Sequence, residues 1–175
     1  MLWCTHLVAG GIAGLLLSGR TDVETALLSA GIAGVAALVP DVDSPDSWIG
    51  RRIPAIPWAL KTAVGHRGPL HSLVGALGFS VCLTFLFRRG FDPFLFKMVF
   101  GGYVSHLVAD SFNPPKVPWL WPLKTRFGVG LVTPRSSFER LVVVPCAVLT
   151  FLWLLFPIVV SLLKDIPLFG KLLHG

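Results

Sequence analysis

Charge is scarce in this chain. Only 14% of its 175 residues are Asp, Glu, Lys or Arg, whereas 54% are hydrophobic. Mean hydropathy is +0.75. A soluble domain of this length usually has roughly a quarter of its residues charged. The shortage therefore argues against an ordinary soluble core and for a membrane protein. Cysteine is also sparse. Cys4, Cys82 and Cys146 are odd in number, form no CxxC, and lie in or beside apolar runs. That excludes a disulfide framework and leaves structural thiols buried against lipid or helices. No GxSxG accompanies Ser72 or Ser111, which argues against a serine nucleophile. No basic stretch precedes the first apolar run, so a cleavable signal is not expected. The net charge of +6 is scattered between apolar runs. That suits loop positions and anionic lipid headgroups, and no direct nucleic-acid partner is expected.

What is present is a series of five apolar segments, at about 3–18, 24–39, 70–87, 93–110 and 141–163. A bilayer core needs about 20 mostly apolar residues per helix. The expectation is an all-α, multi-pass transmembrane helical bundle of about five helices, forming one membrane-embedded domain over 1–175. Segment five is long enough to span alone and is expected to bend at Pro145 or Pro157. Gly10, Gly14, Gly31 and Gly34 give segments one and two small faces for close approach, and Gly101 and Gly102 do the same for segment four. Two long connections, about 40–69 and 111–140, are rich in Pro and Trp. Trp48, Trp58, Trp119 and Trp121 suit an interfacial belt. Residues 141–175 are read as the last helix and an interfacial tail.

The polar residues then form a pattern. His6 is near the start of segment one, and Asp41 and Asp43 follow segment two. His66 and His71 open segment three, while His106 and Asp110 end segment four. If the chain crosses once per segment, all seven lie on one face of the membrane. Asp22, Glu24 and Asp92 fall on the other, which has no histidine in its two short loops. His106 and Asp110, four residues apart, share a helix face. In PDVDSP the prolines stop the helix and stiffen the turn. In HRGPLHS two imidazoles flank a Gly-Pro turn.

Imidazoles and carboxylates together suit a divalent metal. Seven donors are too many for one four-coordinate site and enough for a two-metal site with a bridging carboxylate. One or two ions, zinc or manganese, are expected within 5–110, with the loop 111–140 covering them. Each residue also has a plainer role available: a helix–helix hydrogen bond for His6, a turn cap for Asp46, a salt bridge from Arg67 to Asp41 or Asp43. The alternative use of Arg67 is as a fork for a phosphate oxygen. Arg51, Arg52, Lys116, Lys124, Arg126 and Arg135 surround the same face.

The strings THLVAG, PDVDSP, HRGPLHS and HLVADSFNPPKVPWLWPL occur in that order between residue 5 and about 140. They resemble the YdjM-like family of inner-membrane metal-dependent hydrolases, some of which are also labelled LexA-binding. The resemblance implies a multi-pass inner-membrane protein whose metal ligands are His6, Asp41, Asp43, His66, His71, His106 and Asp110. Two departures touch the substrate side. Leu70 stands where the family commonly has Thr, and Asn113 and Pro115 stand where it commonly has Thr and Gly. The donor mix is similar to that of zinc-dependent phospholipase C, which implies phosphoester substrates by analogy.

The expected activity is metal-assisted hydrolysis of a phospholipid or lipid-linked phosphate. Asp43 or His66 takes the proton from water, and Arg67 holds the phosphate. A divalent-metal transporter or metal-binding module uses the same donors, but transport sites usually lie near the midplane. A regulatory membrane protein that binds a cytosolic partner through the long loops is the third reading. About nine of the 15 Lys and Arg lie on the ligand side, which favours a cytoplasmic metal-site face.

Overall fold

The computed structural model describes residues 1–19, 22–45, 47, 50–52, 68–88 and 90–164. Among them are five α-helices and no β-strand. In chain order these are α1 (Trp3–Leu17), α2 (Val23–Ala36), α3 (Leu73–Arg88), α4 (Pro93–Asp110) and α5 (Val144–Lys164). Short 3-10 turns at Pro40–Asp43 and Pro69–His71 precede and follow the long first connection. A π-helical turn, Glu139–Val143, leads into α5.

Local chemistry explains the ends. The side chain of Asp22 accepts from the backbone N–H of Thr25 at 2.7 Å and caps α2. Asp92 does the same for α4 through Leu95 at 3.0 Å, with Pro93 at the first helical position. Pro40 opens the 3-10 turn that carries Asp41 and Asp43. Ser72 caps α3, accepting from the N–H of Gly75 at 3.2 Å and donating to the Pro69 carbonyl at 2.5 Å.

Small residues set the packing. A Cβ at Gly10 would meet the Ala33 carbonyl oxygen at 2.5 Å, and one at Gly14 would strike the Ser29 backbone. Gly10 meets Ala33 while Gly14 meets Ser29, so α1 and α2 run antiparallel. Gly102 closes onto the Ala33 backbone, and His106 reaches the Ala37 carbonyl. The same offset at both contacts makes α2 and α4 parallel. Gly31 departs from the expectation, since a Cβ there would meet nothing within 4 Å. The close-approach face of α2 is the Ala33–Gly34 face, and Gly31 points off it.

α5 packs on α1 through Phe151, Leu154 and Leu155 around Leu15 and Ala26. A second core, Ala76, Tyr103, Leu107 and Val117, lies among α3, α4 and the loop after α4. That loop is tied down. Val117 and Phe127 exchange backbone bonds at 2.8 and 2.9 Å, and the Leu73 N–H donates to the Trp119 carbonyl at 2.9 Å. The Trp119 indole donates to Ser111 at 2.8 Å, so Trp119 is docked on the bundle, whereas Trp121 is exposed.

Among the described residues two helical runs are long and apolar enough to cross a membrane, Val23–Asp43 and Glu139–Leu163. Trp3–Leu17 and Leu73–Phe87 are apolar but shorter. The second long run buries little of itself against the rest of the chain. Leu149, Trp153 and Phe156 are 65%, 71% and 67% exposed, a surface that water would disfavour. Cys82 and Cys146 also face outward, and Cys4 is partly buried. Trp48, Trp58, Asp46 and the tail from 165 lie outside the described residues.

Candidate metal centre

The start of α1, the end of α2 with its 3-10 turn, the turn before α3 and the end of α4 meet at one end of the bundle. Five of the seven candidate ligands fall into two groups there. His6, His106 and Asp110 form one, and Asp41, His71 and His106 the other; within each, one donor atom per residue lies within 4.8 Å of the rest. Around Asp110, His6 Nε2 is 3.4 Å from Oδ1, His106 Nε2 is 3.7 Å from Oδ2, and His71 Nε2 is 3.9 Å from Oδ2. His106 Nε2 is also 3.9 Å from Asp41 Oδ1. The rings of His6 and His106 stack with centroids 3.8 Å apart.

These separations are too long for good hydrogen bonds and too short for unrelated groups. Both ring nitrogens of His6 and Nε2 of His106 are buried without a hydrogen-bond partner. Buried polar atoms are rarely left so. Three imidazoles and carboxylates facing a common centre fit a divalent cation, which would take up Nε2 of His6 and of His106 and offset the buried negative charge. The residues present can therefore hold a metal.

The surrounding contacts set the donors. His106 Nδ1 lies 2.7 Å from the Ala37 carbonyl oxygen. A carbonyl can only accept, so Nδ1 carries the proton and the Nε2 lone pair faces the centre. Asp43, fully buried, belongs to neither group; its Oδ2 lies 3.5 Å from His71 Nδ1. That places a carboxylate beside a candidate ligand's imidazole without a hydrogen bond between them, His71 Nδ1 being buried and unpartnered like the nitrogens of His6. Asn113 donates to Asp110 Oδ1 at 2.6 Å. The family departure at 113 thus falls on a ligand's partner. His66 and Arg67 lie outside the described residues.

Ser72 and Ser111 are occupied as helix-end groups, Ser111 donating to the Leu107 carbonyl at 2.8 Å and accepting from Trp119. One buried carboxylate had not been singled out from sequence. Glu139 accepts from the Leu2 N–H at 2.6 Å, the Thr5 hydroxyl at 2.9 Å and the Arg135 N–H at 2.7 Å. It fastens the start of α1, and hence His6, to the entry of α5. The available signal was a lone acid at the head of a long apolar run.

The chain is 34% identical over 125 residues to inner membrane protein YdjM of Escherichia coli (strain K12), and equally to that of Shigella flexneri. The match covers 68% of this chain and 61% of each relative's length. It is 29% identical over 137 residues to the uncharacterized protein YvsG of Bacillus subtilis (strain 168), covering 78% of this chain and 82% of that one. No solved structure matches. The model of the family described as YdjM inner membrane protein matches residues 1–166, and the chain belongs to that family.

Proposed function

We propose that this protein is a multi-pass, membrane-bound, metal-dependent hydrolase that cleaves a phosphoester of a phospholipid or lipid-linked phosphate at the cytoplasmic face of the inner membrane. The observation that carries the reading is the set of unbonded, buried imidazole nitrogens of His6 and His106 facing Asp110. His6, Asp41, His71, His106 and Asp110 hold the ion, and imidazole with carboxylate suits zinc or manganese. A divalent ion there lowers the pKa of water toward neutrality and polarises a phosphoryl oxygen.

The protein's own residues do the rest. The Ala37 carbonyl fixes the tautomer and tilt of His106, and the Asp43 carboxylate lies beside His71 Nδ1, where it can draw the ring into place once an ion is bound. Asp43, beside His71 and outside both donor groups, accepts the proton from the attacking water. His66 is the second acceptor in this scheme. Arg67 meets the phosphate with its planar fork of donors. An imidazole nitrogen has one lone pair, so His106 Nε2, common to both donor groups, would hold one ion only. Hydrolysis is favoured over transport because the donors sit at helix ends, whereas transport sites lie near the midplane.

The test uses purified protein in mixed micelles with phosphatidic acid, with and without added zinc or manganese. Release of phosphate only with metal, and its loss in His71→Ala and Asp110→Ala, is expected. Equal release by those variants would end the hydrolase reading.

A further inference from the structure

An apolar groove of about 870 Å³ runs along α2, with α3 forming its other wall and α4 its floor. Leu28, Val35, Val39, Phe79, Leu83 and Val99 are among its lining, and almost none of that lining is polar. The groove follows α2 from Leu27 to Ala36, roughly 14 Å at 1.5 Å per residue, and continues to Val39 just beyond the helix end. One leaflet of hydrocarbon is about 15 Å thick, half of a ~30 Å core. Val39, at one end of the groove, is two residues from Asp41. Asp41 is the described donor that remains open, with 23% of its side chain exposed, while those of His6, His71, His106 and Asp110 are at most 2% exposed.

We propose that this groove seats one acyl chain of a glycerophospholipid substrate, with the phosphate brought to the metal centre past Asp41. The proposal rests on the hydrolase reading for the chemistry at the headgroup, and on the groove alone for the chain. Three observations select the occupant. The lining suits hydrocarbon. The length matches a chain that ends within one leaflet, whereas a long polyprenyl chain would overrun it. The groove ends at Val39, two residues before Asp41, the most exposed of the described donors. A second apolar groove, between α1, α4 and α5, reaches Met1, Ala109 and Phe112, with the Met1 ammonium 3.4 Å from Asp110 Oδ1. The donors nearest it, His6 and Asp110, are closed off, so it does not carry the proposal.

Gly31 lies in the groove wall with open space at its Cβ position. Gly31→Phe therefore puts a ring into the groove from a position whose Cβ meets no other helix. The experiment reconstitutes full-length protein in phosphatidylcholine vesicles with added zinc. The probe is phosphatidic acid carrying a photoactivatable diazirine in one acyl chain. Peptides of α2 and α3 are expected to be labelled at least tenfold more by this lipid than by diacylglycerol with the same chain, and Gly31→Phe should lower the labelling at least tenfold. In the turnover arm, Gly31→Phe should lower hydrolysis of long-chain phosphatidic acid at least tenfold more than hydrolysis of glycerol phosphate.

Equal labelling by the two lipids would mean boundary lipid only and would overturn the proposal. So would turnover in which Gly31→Phe shows no dependence on chain length. Selective, Gly31-dependent labelling without any turnover would sustain the acyl seat and remove the hydrolase reading.

Discussion

Glu139 accepts the Thr5 hydroxyl at 2.9 Å across 134 residues of sequence. The same carboxylate holds the Leu2 and Arg135 backbone N–H groups. A helix N-terminus leaves its first N–H groups without intrahelical partners, and a buried anion there is favoured by the helix dipole. Glu139 thus fixes the turn of α1 that carries His6, using the element that begins α5.

Glu139→Ala should be strongly destabilising. It removes the acceptor of one buried donor, the Thr5 hydroxyl, and of two part-buried backbone N–H groups; a buried donor left unsatisfied costs about 1–3 kcal/mol. Thermal unfolding in detergent should show a clear drop in midpoint, with a smaller drop for Glu139→Gln, which keeps one acceptor oxygen. Indistinguishable midpoints for Ala and wild type would show that this anchor carries no weight.

His106 is shared by both donor groups, so its loss should be the most damaging single change to metal binding. Zinc titration of His106→Ala should show affinity reduced at least 100-fold, about 2.8 kcal/mol at 1.4 kcal/mol per decade. His6→Ala and Asp41→Ala each remove a donor from one group and should lose less. Elemental analysis after dialysis checks the order. Retention of metal in His106→Ala at the wild-type level contradicts the assignment of the centre.

Asp43 separates orientation from ligation. Its carboxylate lies 3.5 Å from His71 Nδ1. Removing an outer partner of a metal-bound imidazole typically costs 10–100-fold in affinity or activity. Asp43→Asn should weaken zinc binding within that range while still reaching full occupancy at high metal. Phosphate release from phosphatidic acid should fall further than occupancy does, because an amide cannot accept the proton. A rate that recovers fully once zinc saturates the site would leave Asp43 as a positioning group and take from it the part of base.

Much of this was legible in the sequence, for a physical reason. Helix positions follow from apolar runs bounded by Asp, Pro and Gly, and α4 has the bounds 93–110 that its segment suggested. The gathering of His6, Asp41, His71, His106 and Asp110 follows from the alternating direction of successive helices, which puts those helix ends on one side. The division of labour among the donors was not legible. Asp41 and Asp43 look equivalent in PDVDSP, yet a tight 3-10 turn sends them to different partners. Gly31 resembles Gly34 in sequence, but three residues on a helix amount to less than a full turn, which leaves one at the interface and the other in the groove. Glu139 depends on a contact between the two ends of the chain, and no local pattern encodes that.

The last prediction joins packing to the site. Gly102 lies against the Ala33 backbone, one turn before His106 meets the Ala37 carbonyl at 2.7 Å. A side chain at 102 must push α4 away from α2, because backbone cannot move aside as a flexible side chain can. Overpacking of this kind costs about 1–3 kcal/mol. Gly102→Val should therefore lower the unfolding midpoint and also weaken zinc binding, since separating the helices breaks the contact that fixes the His106 tautomer. Gly101 faces the end of the Leu17 side chain, which can rotate away, and Gly101→Ala should disturb both measurements less. Gly31→Ala meets no atom within 4 Å and should raise the midpoint slightly, because Ala is the better helix former by about 1 kcal/mol. If Gly102→Val loses stability but binds zinc as tightly as wild type, the α2–α4 contact supports the fold without setting the metal centre.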